Sequence, residues 1–361
     1  MKFLDEYRNR DMARRYLDDI HLAVTQPWAI MEICGGQTHS LVRNGIVDLL
    51  PGEITMVHGP GCPVCVTSIE LIDKAIQIAK TKNSVLCSFG DMLRVPGNSG
   101  SLLKAKAEGA DVRIVYSPLD AVQIALKEKQ KNIVFFAVGF ETTAPANALS
   151  VLQAKQLGLH NYFLLSSHVL VPPAMEALLQ DPETRIDGFL AAGHVCAVMG
   201  TTPYLPIVKK YKIPIVVTGF EPIDLLKGLL HCIRQLENGE AMLDNQYARV
   251  VSANGNEHAK KLIDQVFEIS DRNWRGIGVL SMSGLDLNAD YRTFDANCKF
   301  QMHIHSMEME NKCMAGQVLK GLKKPRECPQ FGVACTPENP LGAPMVSSEG
   351  SCAAYYNYVE S

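Results

Sequence analysis

The chain has 361 residues, 47% of them hydrophobic and 20% charged, with a formal net charge of −3. This is a globular composition that excludes a disordered chain, and near-neutrality argues against nucleic acid as a main partner. The length exceeds one ordinary core and predicts two or three domains.

The N-terminal stretch MKFLDEYRNRDMARRYLDD is amphipathic and lacks the apolar core of a secretory signal. Eleven cysteines, an odd and widely scattered set, disfavour a disulfide framework. The expected compartment is a reducing cytoplasm, where thiols serve metal or redox chemistry. One pattern then recurs: a short apolar run, a glycine-bearing polar loop, and a segment with helical periodicity. The runs are Ala29–Ile33, Ile54–Val57, Ser84–Cys87, Val112–Tyr116, Ile133–Val138, Tyr162–Leu165, Phe189–Ala192 and Ile213–Val217. Continuous apolar runs suit strands buried on both faces, as in parallel sheets, and the alternation with helices makes the class α/β. The expectation is two open, mostly parallel sheet domains with flanking helices, plus a smaller C-terminal region. Soft boundaries near Pro118 and Val250 divide the chain into 1–118, 119–250 and 251–361.

The unusual polar residues follow the strands, where ligands of open parallel sheets bind. After the first run, Glu32-Ile-Cys34-Gly-Gly-Gln-Thr-His39 pairs a thiol with a nearby imidazole beside two glycines that permit close backbone approach. Cys34 and His39 suit a nucleophile pair or metal ligands, or a buried cysteine beside a polar cap. After the second, His58-Gly-Pro-Gly-Cys62-Pro-Val-Cys65 leads into the capping pattern Thr67-Ser-Ile-Glu70. That puts a CxxC at a helix N-terminus, which favours a thiolate and a reversible disulfide, although half of a metal site looks the same. Ser88-Phe-Gly-Asp91-Met-Leu-Arg94 and Gly139-Phe-Glu141-Thr-Thr read either as ligand loops with a carboxylate or as helix caps. His168, His194 and Glu221 also follow runs, and Gly219-Phe-Glu221 echoes Gly139-Phe-Glu141. His303 and His305 alternate on a possible strand and read as structural. The stretch from Gly188 to Val208 holds no Asp, Glu, Lys or Arg, yet its glycines, prolines and His194 fit a strand, loop and short helix better than a membrane span.

The last fifth of the chain carries Cys313, Cys328, Cys335 and Cys352 in the spacing C-x14-C-x6-C-x16-C, among Gly and Pro. Four soft thiolates complete either a zinc site or an iron–sulfur cluster. Zinc knuckles usually use short CxxC pairs; long irregular spacing and an upstream dithiol favour the cluster. The basic run Lys320-Gly-Leu-Lys-Lys-Pro-Arg326 reads as a solvated loop. No phosphate-binding, dinucleotide, zincin or nucleophile-elbow signature is present.

Together these motifs resemble the hydrogenase maturation factor HypD family. The likeness rests on CGGQTH at 34–39, HGPGCPVC at 58–65, SFGDMLRVPG at 88–97, GFETTAP at 139–145, GHV at 193–195, GFEP at 219–222 and the tail CPQFGVACTPENP with MVSSEGSCAAYY. The resemblance implies three α/β-containing domains, a [4Fe–4S] cluster on Cys313, Cys328, Cys335 and Cys352, and a redox-active scaffold for the Fe(CN)2(CO) group of [NiFe]-hydrogenases. It further implies that Cys34 holds the nascent iron with the small chaperone HypC and that HypE donates cyanide. Cys62 and Cys65 would be a redox dithiol, and His39, Asp91, Glu141 and His194 polar residues around the cleft. The family reading implies a monomer when alone, with no nucleic acid and no membrane partner. Two positions depart from the family pattern. Gln37 stands where many relatives carry His, so it is not expected to be an essential ligand, and Cys196 has no assigned role. The alternatives are a free-standing iron–sulfur thiol–disulfide oxidoreductase, which would not need Cys34, and a zinc-stabilised binding module.

Overall fold

A computed structural model describes residues 5–302 and 313–358. All eight apolar runs are strands: β1 Trp28–Glu32, β2 Ile54–His58, β3 Ser84–Ser88, β4 Val112–Ile114, β5 Asn132–Gly139, β6 Tyr162–Val169, β7 Gly188–Ala192 and β8 Ile215–Thr218. Three more follow, β9 Leu243–Asn245, β10 Phe267–Trp274 and β11 Gly278–Leu287. β9 is short and half-buried, and β10 alternates in exposure, so neither carries a continuous apolar run.

The strands build two sheets, ordered β2-β1-β7-β8-β9 and β10-β11-β6-β5-β3-β4. The first is wholly parallel; in the second, β3 to β6 are parallel and the β10–β11 hairpin adds antiparallel to β6. Strand membership does not follow the boundaries expected near residues 118 and 250. The chain lays down β1 and β2, builds β3 to β6 of the other sheet, then returns for β7 to β9. The Trp274 segment, expected beside the cysteine tail, is the end of a hairpin that borders the second sheet. His303 and His305 lie outside the described residues. Among the described residues, no helix is long and apolar enough to cross a membrane.

Strand order reverses at β1, flanked by β2 and β7, and at β3, flanked by β4 and β5. Crevices open at the carboxyl ends of strands at such switch points. Cys34 follows β1 and Asp91 follows β3. One core cluster joins residues after strands of both sheets, including Cys34, Val66, Phe140, Val171, Val195 and Trp274. Trp274 is 1% exposed, donates its indole N–H to Ser283 Oγ at 2.9 Å and stacks against Phe140 at 6.2 Å between centroids. The next residue, Arg275, donates its backbone N–H to Val66 O, which ties the hairpin to the CPVC turn. Beyond residue 313 there are short helical turns and one helix, Ser351–Tyr358, which packs on the Gly35–Arg43 helix.

Because Trp274 fills the junction between the sheets, its loss leaves a cavity there. Trp274→Ala should cost roughly 3–5 kcal/mol, read as a lowered denaturant midpoint.

Candidate functional site

Cys34 is the N-cap of the Gly35–Arg43 helix and is 3% exposed. Its position depends on two bare backbones. A Cβ on Gly61 would collide with the backbone of Cys34, and one on Gly35 with the carbonyl of Glu349. Gly35 N–H donates to Gly61 O at 2.9 Å, so the two motif loops are stitched together directly. Cys34 Sγ lies 3.8 Å from His194 Nδ1, and that ring is tilted over Phe220 at 5.0 Å. Burial pushes the Cys34 thiol up to about 12, assisted by Glu349 and Glu32 against the pull of the Gln37 and Gly36 amides. Burial lowers His194 to about 4, so the imidazole is neutral. A protonated soft thiol beside a neutral ring nitrogen suits a metal that displaces the thiol proton on binding.

The tail forms the far wall. His39 Nδ1 lies 3.0 Å from Ser348 O and its ring meets Tyr358 edge-on. Asp91 pairs with Arg94 at 3.5 Å, and Arg94 donates to Val346 O at 2.7 Å. Glu349 is held up by burial first and then by Asp91, while His39 opposes that shift. Cys34, His39 and Asp91 are therefore linked electrostatically to Glu349, a residue the motif reading passed over, and His194 joins them through Cys34.

Glu141 stands apart. It is 2% exposed; Oε1 accepts the Val171 N–H at 2.8 Å and Oε2 has no partner. Burial raises its carboxyl to about 7. Its charge bears on Cys196 and Tyr204, and Cys34 bears on Tyr204 in turn. His168 turns away to Asn147 Nδ2, at 2.7 Å, and Glu221 pairs with Arg8. Gln37 donates into the first sheet, to Ala191 O and Thr218 Oγ1, and does not face Cys34.

Cys62 and Cys65 form a buried disulfide in the Pro63–Val66 turn, with Cα atoms 5.2 Å apart. The motif's His58 hydrogen-bonds to buried Glu32 through Nδ1 and to Tyr355 Oη through Nε2 at 2.7 Å. Thr38 Oγ1 donates to the same Glu32 oxygen at 2.8 Å. This chain links the Cys34 loop, the CPVC loop and the last helix. Each member sits inside a quoted motif, yet only the three-dimensional meeting assigns it a role.

Cys313, Cys328, Cys335 and Cys352 line one small pocket, walled by Met314, Val318, Phe331, Pro344 and Met345. A Cβ on Gly342 would collide with Cys313 Sγ, and Leu341 N–H donates to Cys335 Sγ at 3.4 Å. Among the described residues no three His, Cys, Asp or Glu side chains are arranged to hold a single metal ion. Four thiols on apolar walls with a backbone N–H on sulfur are a donor set that fits a polynuclear iron–sulfur group. The pocket is close to the disulfide, because the Pro63–Val66 turn packs on the Ala343–Met345 turn, whose Pro344 and Met345 line the pocket.

The family model HypD, described as "Hydrogenase formation hypA family", matches residues 11–359. The chain belongs to the hydrogenase maturation factor HypD family. It is 46% identical over 369 residues to "Hydrogenase maturation factor HypD" of Azotobacter vinelandii, covering 99% of this chain and 97% of that one. It is 43% identical over 366 residues to the Escherichia coli K12 protein of the same name, covering 99% and 98%. "Hydrogenase expression/formation protein HupD" of Azotobacter chroococcum is 46% identical over 368 residues, covering 99% and 97%.

In this member of the HypD family, the buried Glu141 gives a pH signature. Its folded pKa lies above its ordinary 4.5, so the stabilising contribution is full below that value and is lost as pH rises through about 7. The stability of wild type relative to Glu141→Gln should therefore fall by roughly 3 kcal/mol between about pH 4 and about pH 8, measured by chemical denaturation at each pH.

Proposed function

We propose that this HypD-family chain is the cytoplasmic scaffold on which the Fe(CN)2(CO) group of [NiFe]-hydrogenases is assembled. Iron is the cargo. The reading rests on one observation: the buried thiol of Cys34 follows β1 at the switch point, beside the neutral His194 and the CPVC loop. Cys34 anchors the iron as thiolate, and a HypC-type small chaperone supplies the remaining hold. A HypE-type partner presents cyanide on sulfur. Releasing it as cyanide consumes two electrons and one proton and leaves a thiol on the donor. Oxidising the Cys62–Cys65 dithiol to its disulfide supplies two electrons and two protons, so the exchange balances with one proton released.

Resetting the dithiol needs electrons again. A [4Fe–4S] cluster on Cys313, Cys328, Cys335 and Cys352 supplies one-electron chemistry when bound. Val64 and Ala343 bring the CPVC turn against the wall of the four-cysteine pocket, which keeps that path short. Glu141, half-protonated near neutral pH, holds a proton behind the cleft. His39, Asp91 and Glu349 present hydrogen-bonding groups at its mouth.

A free-standing thiol–disulfide oxidoreductase would use the dithiol and would not require Cys34. Infrared spectra of anaerobically purified protein, co-expressed with its small chaperone, separate the two readings. Cyanide and carbonyl stretches should appear in wild type and vanish in Cys34→Ala. Their absence from both samples, with the complex intact and the cluster loaded, would favour the oxidoreductase.

A further inference from the structure

The GFEP loop, residues 219–222, takes no part in the ligand chemistry above, yet it lies against the Cys34–His194 pair. The Phe220 ring stacks on the His194 imidazole, with centroids 5.0 Å apart and planes 34° from parallel. Its other contact is the helix that Cys34 caps. A Cβ on Gly36 would stand 3.3 Å from the Phe220 ring and 3.7 Å from Cys34 Sγ, so a bare backbone lets the ring sit this close to the thiol. Cys34 is buried, whereas Phe220 and His194 are half-buried. Two partly exposed rings therefore stand beside a thiol that solvent hardly reaches.

The loop is held by three sets of contacts. Ser40 Oγ, on the Cys34 helix, donates to Phe220 O at 2.6 Å. A Cβ on Gly219 would collide with the Asp224 carboxylate and the Tyr247 ring. Asp224 accepts from both Nη groups of Arg249, at 2.7 and 2.6 Å, and the guanidinium lies over the Tyr7 and Tyr247 rings, 3.9 and 4.4 Å from their centroids. The third hold is Arg8, whose Nε and Nη2 donate to the two Glu221 oxygens at 2.5 and 2.9 Å. Glu221 is the N-cap of the Pro222–Glu237 helix yet makes no side-chain cap bond, so its carboxylate is committed to Arg8. Tyr7 and Arg8 belong to the Asp5–Arg8 turn at the start of the chain. Exposed ion pairs are weak and screened by salt, so this strap holds the loop without locking it.

We propose that Phe220 is a positioning residue for the Cys34–His194 pair and its shield from solvent, and that the Tyr7–Arg8 turn is the strap that keeps it in place. The proposal takes Cys34 as the iron anchor described above. A ring packed on the imidazole restricts the side-chain rotation of His194 and keeps its Nδ1 toward the sulfur. The same ring keeps small electrophiles from the thiol until the loop moves. Releasing the exposed Arg8–Glu221 pair frees the loop at its outer end, while the Ser40 hydrogen bond keeps its inner end on the Cys34 helix.

The test alkylates the full chain, purified anaerobically without its partners, with iodoacetamide at one fixed pH, and reads the rate at each cysteine by peptide mass spectrometry. Cys298, an exposed free thiol, is the internal reference, and buried Cys87 and Cys232 report any loss of the fold. In wild type, Cys34 should react far more slowly than Cys298. Phe220→Ala and Arg8→Glu should each speed Cys34 by about tenfold or more, with Cys87 and Cys232 unchanged. Phe220→Tyr, which keeps the ring, should retain the slow rate, and Arg234→Glu, which breaks a surface pair with Asp19, should match wild type. An unchanged Cys34 rate in Phe220→Ala, or equal acceleration at Cys87 and Cys232, would overturn the shield. Acceleration by Phe220→Ala but not by Arg8→Glu would overturn the strap. Selective exposure of Cys34 in a chain whose chaperone complex shows no cyanide or carbonyl stretches would support the shield and sink the iron-anchor reading instead.

Discussion

Three stretches of chain meet at Cys34 with almost nothing between their backbones, and the rest of the site depends on that contact. Gly61 lies against the Cys34 backbone and Gly35 against the Glu349 carbonyl. A methyl group at either position would push the CPVC loop or the cysteine tail away from the Cys34 loop. Close approach of this kind is the use for which glycine's missing Cβ is retained despite its entropic cost. Once the three segments are clamped, the hydrogen-bond chain Thr38–Glu32–His58–Tyr355 fixes their orientation with buried groups. Buried polar chains of this sort are costly when incomplete, so they hold one arrangement strongly.

The electrostatics follow from the same packing. Burying Cys34, His194 and Glu141 where the two sheets meet drives all three toward their neutral forms. Burial also separates two thiol chemistries on one chain. Cys34 is kept protonated by burial, whereas Cys62 and Cys65 are paired with each other at a helix start.

Much of this was legible in the sequence, and the limits have physical reasons. The eight apolar runs marked eight strands because strands buried on both faces leave a continuous hydrophobic signal. β9 and β10 are half exposed and left none. The polar residues after strands marked the cleft, since loops at carboxyl ends converge in any open parallel sheet. Strand pairing was not legible: β1 and β7 are neighbours in the first sheet although far apart in sequence, and nothing in either run names its neighbour. Glu349 and Tyr355 were hidden because they owe their place to the tail folding back on the first loop. His168, Glu221 and Glu141, which ranked with His194 in sequence, point elsewhere because each strand end meets a different neighbour.

The interleaving of the two sheets also sets an order of events at the ribosome. β1 and β2 emerge early and can pair with each other, but the second edge of β1 meets its partner only when β7 has been made, after the whole parallel part of the other sheet. That apolar edge must wait uncovered through the interval, which is the situation in which long-range pairing is slow and exposed to aggregation. The tail segment that packs on the Cys34 loop, through Glu349 and the Ser351–Tyr358 helix, is made long after that loop. The Cys34 thiol therefore stays open to solvent until this segment emerges, and becomes enclosed only when it folds back.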